Sequence, residues 1–306
     1  MPIVDIKHVT TYRYNRPVSF GKHRMMLFPR EDGDQKVLLY KLEITPNPVR
    51  LNWSRDIFGN HVSIAQFGDH ADELTFISRV RLNHTPTQFR ASDIDCSART
   101  YPFAYSAEDL SAIAQYIRPP SVRRKLDRWS AAIFRHNNSI DLYELLVRMT
   151  QTIKQTVKHV SRHEEGTQKP EQTLSLGSGS CRDVAVLMIA VLRSRGIAAR
   201  FVSGYVRLVD DCDGEEVEDD VPGGNTHAWV QVYVPGPGWV DFDPAAGVTE
   251  NQNLIRVAAV RHPRDAIPLQ GTWYGSLSDY LAMNVGVRVR TIDSRTAKAV
   301  QPRTFR

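Results

Sequence analysis

The chain has 306 residues, 42% of them hydrophobic, and a formal net charge of +5, enough for one large or two ordinary domains with a sizeable core. No apolar run reaches the ~18 residues of a membrane helix, and Lys and Arg are spread along the chain, so neither a membrane nor a nucleic-acid partner is expected. Cys96, Cys181 and Cys212 are an odd number in dissimilar contexts and suggest no disulfide framework, and MPIVDIKHVTTYRYNRP lacks the pattern of a secretory leader, so the cytoplasm is the expected compartment.

Residues 1–105 read as a β domain. HVTTYRYNRPV, VLLYKLEITPNPV, HVSIAQF and ELTFISRVRLNHTP are β-branched, aromatic and partly alternating. Turn signals at Pro17, Pro29 to Gly33, Pro46 to Pro48 and Gly59-Asn60 separate them, and short strands so spaced favour an antiparallel sandwich. From Tyr105 the period changes. SAEDLSAIAQYIR opens at Ser106 as a helix and stops at Pro119-Pro120, and SVRRKLDRWSAAIFRH is a second helix. In DLYELLVRMTQTIKQTVKHV, Leu145, Met149, Ile153 and Val157 recur every fourth residue and predict a third, whereas SRHEEGTQKPEQTLSLGSGS reads as a loop.

The next helix begins at the loop's end. Gly177 and Gly179 precede Cys181, and Val184 to Leu192 is apolar almost all round, the pattern of a buried helix ended by Gly196. Cys181 therefore occupies a first turn, where unpaired N–H groups and the helix dipole favour a thiolate. Position alone leaves two readings, a small buried hydrophobe or a nucleophile.

Beyond it IAARFVSGYVRLV, THAWVQVYVP and WVDFDP predict strands, the last two joined by PGPG as a hairpin that sets Trp239 near Tyr233 or Val234. That register carries His227 and Asp243 to the hairpin's open end, within a few pairs of each other, whereas Asp241 sits nearer the turn. An imidazole beside a carboxylate there is the arrangement that fixes a His tautomer, and a thiolate nucleophile needs such a base and orienter. VGVRVRTID predicts a last strand.

GSCRDVAVLMIAVLRSRGIAARFVSGYV, HAWVQVYVPGPGWVDFDPAAG and IRVAAVRHPRDAIPLQGTWYG resemble the core blocks of the bacterial transglutaminase-like superfamily, which includes transglutaminase-like cysteine proteases. HVTTYRYNRPV, MLFPRE and DIFGNHV resemble the β domain that precedes this core in bacterial members, so the likeness runs from about His8 to Gly275. The resemblance implies an α+β protein, with an antiparallel β-sandwich-like domain over 1–105 and a papain-like, transglutaminase-like catalytic domain over 106–306. Within the latter, 106–160 is a helical lead-in, 161–275 the catalytic core and 276–306 a C-terminal strand region.

It implies a triad of Cys181 as nucleophile, His227 as base and Asp243 as orienter, acting on peptide or carboxamide bonds through a thioester. Ala245 stands where many relatives carry Thr. The expected activity is that of a cysteine protease or amidase on a protein or peptide substrate. Transfer to an amine, as in a transglutaminase or peptide ligase, is the alternative, and a non-catalytic binding protein on the same fold is the second. The Cys181 N–H is one expected oxyanion donor, and the second is unassigned. No cofactor and no metal is expected. A zinc site from His159, His163, Cys181 and His227 lacks the usual close ligand pairs. The acidic block Asp210 to Asp220 lacks an EF-hand pattern and reads as a solvated loop before His227, placed to line the substrate entrance.

Overall fold

A computed structural model of the chain describes residues 3–86, 88–117, 124–134, 139–162, 164–207, 226–249 and 252–292. Pro119-Pro120, His163, and the acidic block with Cys212 lie outside them. Among the described residues no helix is long and apolar enough to cross a membrane.

The N-terminal half is built on β1 (Ile3–Met25), whose first residues alternate between buried and half-buried as one face meets the core. β2 (Gln35–Thr45), β3 (Arg50–Arg55), β4 (His61–Gln66) and β5 (His70–His84) follow, and the sheet order is β2-β5-β1-β4-β3. Pro17, expected at a turn, lies inside β1. The β1–β5 ladder skips from Arg13 to Val18, so the missing proline N–H costs no ladder bond. Tyr14, Val18, Phe20, Met25, Leu74 and Phe76 pack as this domain's own core.

The helical layer comes next. α1 (Ala107–Ile113) is capped by the Ser106 hydroxyl, which accepts from the Asp109 N–H at 3.0 Å. β6 (Thr100–Tyr101) pairs with β7 (Ile140–Asp141) on either side of α2 (Arg124–Phe134). α3 (Leu142–Thr156) buries Leu145, Met149 and Ile153, with Val157 buried just beyond its end. That residue is extended, and the chain becomes β8 (Lys158–His159). His159 is therefore on a strand and shares no helix face with His163. α4 (Pro170–Leu176) occupies the stretch expected to be a loop. It starts on Pro170 and ends at Gly177 in a left-handed conformation (φ 60°), and seven residues are too few to display a helical period. β9 (Ser178–Gly179) pairs in parallel with β8.

α5 (Cys181–Ser194) runs through the main core with Val184, Ala185, Leu187, Met188, Val191 and Leu192 all at or below 1% exposure. Full burial of each larger side chain contributes about 1.5–3 kcal/mol. The helix packs on β10 (Ala199–Val206) and β11 (Thr226–Val234), which form an antiparallel sheet with β12 (Gly238–Phe242) and β13 (Leu254–Val260), in the order β12-β11-β10-β13. Tyr233 stands opposite Trp239, the hairpin register that PGPG predicts.

The chain then returns to the N-terminal sheet. β14 (Leu269–Tyr274) and β15 (Tyr280–Ile292) both pair with β1, with Ser19 opposite Tyr274 and Ile3 opposite Ile292. The division at residue 105 puts these strands in the catalytic half. Alternation marks β15 as a strand, whereas β14 is not expected from the sequence, and partner choice is decided by β1, which offers a long edge opposite β5.

The two halves meet on an apolar seam in which Tyr205, Ile255 and Val257 pack against Val4, Ile6, Val80, Leu82 and Val289. β13 is the last strand of its sheet, and amides from the other half complete its hydrogen bonding. Gln35 accepts from the Arg256 N–H at 2.7 Å and donates to the Arg256 carbonyl at 3.1 Å. Asn60 accepts from the Ala259 N–H at 2.9 Å and donates to the Ala259 carbonyl at 3.1 Å. The edge is thereby closed to further strands.

Candidate active site

Cys181 is the first residue of α5, after Ser180 at the N-cap. Its N–H belongs to the first turn and has no intrahelical acceptor. The preceding loop is held by Asp183, which is fully buried. One carboxylate oxygen accepts from the Ser180 N–H and hydroxyl, each at 2.8 Å. The other accepts from the Gln168 N–H at 2.7 Å, and Arg162 donates to both. Asp183 is thus more than a helix cap, because it fastens two loops beside the thiol.

His227 lies at the start of β11, and Asp243 follows β12. The His227 Nε2–H donates to Asp243 Oδ2 at 2.7 Å, because the carboxylate only accepts. The second oxygen of Asp243 accepts from the Ala245 and Ala246 N–H groups at 2.9 and 3.1 Å. Asp243 is 2% exposed, and all its bonds are charge-assisted. Ala245 acts here through its backbone, so a threonine hydroxyl is not required. Lys154 of α3 anchors the same turn by donating to the Ala245 carbonyl at 2.7 Å.

With Nε2 committed to Asp243, Nδ1 is the imidazole nitrogen that faces the thiol. His159, His227 and the Ala228 N–H lie close to the Cys181 sulfur, and each favours its thiolate. Burial would raise its pKa, but these bonds and the imidazolium charge outweigh it and bring the thiol down to about 6. For His227, burial opposes the charge, whereas Asp243 and the thiolate push it up to about 10. Both shifts favour the thiolate–imidazolium form of the pair.

Trp229 lies beneath, its ring stacked on His227 at a centroid distance of 6.1 Å. Its indole N–H donates to Asp241 at 2.7 Å, and Asp241 accepts from Arg256 at 2.8 Å. Asp241 therefore braces the tryptophan and the domain seam, leaving the imidazole to Asp243. Gly204 stands opposite His227, and a Cβ there would collide with the Ile255 carbonyl and crowd the indole at 2.8 Å. Only glycine lets the strands and the indole approach this closely.

The structure brings Cys181, His227 and Asp243 together. Sequence reasoning missed the thiol contact of His159, because the α3 pattern ran on through residues that form β8. Cys96 is an exposed free thiol on a short 3-10 turn. Among the described residues no group of three or more His, Cys, Asp or Glu side chains could hold a metal ion.

The chain matches two family descriptions, the bacterial transglutaminase-like N-terminal region over residues 4–83 and the transglutaminase-like superfamily over residues 132–244. It is 27% identical over 292 residues to the uncharacterized protein Rv2569c of Mycobacterium tuberculosis, covering 93% of this chain and 91% of the relative. A 75-residue stretch is 39% identical to protein-glutamine gamma-glutamyltransferase of Pseudomonas aeruginosa, covering 22% of this chain and 10% of that protein. The crystal structure of a candidate cysteine protease from Cytophaga hutchinsonii superposes with a TM-score of 0.70 at 19% identity, covering 96% of this chain and 91% of that one, and so shares the fold.

Proposed function

From a chain whose core belongs to the transglutaminase-like superfamily, we propose thiol-dependent acyl transfer on peptide or carboxamide bonds, with Cys181, His227 and Asp243 as the triad. The observation that carries the proposal is His227 bonded on one side to Asp243 and on the other to the Cys181 thiol. The Cys181 sulfur attacks the carbonyl carbon, and a C–S bond forms as the C=O pair moves onto oxygen. The intermediate collapses, the C–N bond breaks, and the departing amine takes the proton from the His227 imidazolium. A thioester remains. Water then attacks it with His227 as base, which releases a carboxylic acid and restores the thiolate.

Hydrolysis of a protein or peptide substrate is the first reading, because water needs no acceptor pocket. Transfer to a primary amine is the second, favoured by the stretch shared with the gamma-glutamyltransferase. A glutamine peptide offered with and without a primary amine separates them by product mass. A carboxylate product under both conditions supports the peptidase or amidase. An amide to the added amine supports the transferase, and turnover of the peptide in neither form defeats the proposal.

The rate should follow a bell against pH. The acid limb falls as the thiolate is protonated near 6, and the alkaline limb falls as His227 loses its proton near 10. At neutral pH iodoacetamide should modify Cys181 faster than Cys96, and mapped adducts at equal rates would contradict an activated thiolate.

Asp243→Asn should cost on the order of 10³-fold in kcat/KM. The carboxylate is an acceptor on both oxygens, so an amide must turn its N–H groups either toward the imidazole N–H or toward Ala245 and Ala246. The alkaline limb should also shift downward, because the charge that holds the imidazolium is gone. An unshifted limb would count against the orienting role.

A further inference from the structure

An oxyanion formed beside Cys181 needs donors placed before the reaction begins. One is the Cys181 N–H, free at the first position of α5. The strands around the thiol supply a candidate for the other. β8 and β9 are locked in register by bonds from the Lys158 N–H to the Gly177 carbonyl at 2.8 Å and from the Val160 N–H to the Gly179 carbonyl at 3.0 Å. His159 stands opposite Gly179, and β9 leads straight through Ser180 into Cys181. The backbone that carries His159 is thus one strand away from the nucleophile loop. Beyond it, Arg162 and the Gln168 N–H are tied to Asp183 in the first turn of α5, which holds the far side of the same segment.

Three groups near the sulfur favour its thiolate, and they arrive from two sides. His227 and the Ala228 N–H come from β11, and His159 comes from β8. His227 is occupied by Asp243 and by proton transfer. Ala228 is backbone inside the β10–β11 ladder, opposite Ser203. His159 is exposed and, among the described residues, has no carboxylate partner. Its place opposite Gly179, two residues before Cys181, therefore sets the imidazole beside the thiol at the solvent side of the site.

We propose that His159 donates a hydrogen bond to the oxyanion that forms when the Cys181 sulfur attacks a carbonyl. This inference rests on Cys181 being the nucleophile. The oxyanion develops one bond away from the carbon that sulfur has just joined, so a donor that stands beside the sulfur is close to where it forms. His159 keeps its proton throughout. As the intermediate collapses, the oxygen pair re-forms the C=O bond, and His227 supplies the proton to the leaving amine.

The test compares two reactions at the same sulfur. Acylation by p-nitrophenyl acetate passes through an oxyanion, whereas alkylation by iodoacetamide displaces iodide and does not. Both are measured on the full chain at about pH 8, above the titration of the thiol near 6. His159→Ala should slow acylation of Cys181 by about 10²–10³-fold, the usual cost of one oxyanion donor. Its alkylation should stay within about threefold of wild type, which also shows that the site is folded. His159→Gln, which restores an N–H donor, should bring acylation back to within about tenfold. Equal acylation in His159→Ala and wild type would overturn the role of His159 alone. A parallel fall of both reactions would overturn it as well, in favour of thiolate stabilisation or a structural role. Absence of acylation at Cys181 in wild type would overturn both this inference and the nucleophile assignment beneath it.

Discussion

Replacement of Cys181 by alanine should remove acyl transfer while leaving the protein folded. Loss of a nucleophile costs on the order of 10⁵–10⁶-fold, because nothing else in the site can form the covalent intermediate. The change is mild for the fold. Alanine is a good helix former at the first position of α5, and Ser180 and Asp183 keep their bonds across the preceding loop. The thermal transition should therefore stay within a few degrees of wild type while the acyl-enzyme disappears. His227 would lose the thiolate but keep Asp243, so its titration should fall from near 10 and remain above that of a free imidazole. A Cys181→Ala protein that still accumulates a covalent acyl adduct would move the nucleophile elsewhere.

The second large effect lies at the seam. Arg256 carries a guanidinium whose side chain is 5% exposed, paired with Asp241 at 2.8 Å and with Asp34, and bonded to the Asp32 carbonyl at 3.1 Å. The two carboxylate side chains are only 8% and 3% exposed. Arg256→Ala would take this cation from buried Asp241 and from Asp34 in a dry interface, at a cost of about 3–5 kcal/mol. Denaturant titration should show a loss of that size. Arg256→Met combined with Asp241→Asn should recover much of it, since the apolar chain fills the space and the asparagine oxygen still accepts from Trp229. Activity should fall further in Arg256→Ala than in the double variant, because Asp241 released from the arginine no longer holds the indole under His227. A single variant as stable as wild type would show that the charges find water, and the seam would then be looser than its ion pairs imply.

The legible part of this site was local. A glycine-rich loop before an all-round apolar helix marked Cys181, and a reversal at PGPG fixed a register from which His227 and Asp243 fell at the same end. Both are short-range patterns, readable because each residue's place follows from its neighbours. What escaped was non-local or too short. Asn60 read as a turn residue and Gln35 carried no signal, yet they finish the edge of a strand more than 190 positions away. β15 declared itself as a strand but not as a partner of β1, and β14 gave no strand signal of its own. α4 had too few turns for periodicity, and the helical spacing of α3 carried past its real end, which concealed that His159 leaves the helix and meets the thiol.

The pairing of β1 with β15 bears on how the protein is made. β1 gains β15 as a neighbour only after every other described strand has been made, and until then that edge of β1 is on offer to other chains. Loop-closure entropy between Ile3 and Ile292 must be overcome before that ladder rewards it, which slows folding. The thiol and its imidazole sit in the stretch between those two strands. The seam between the two halves is therefore completed late, and the reactive centre reaches its finished setting only as β15 closes on β1.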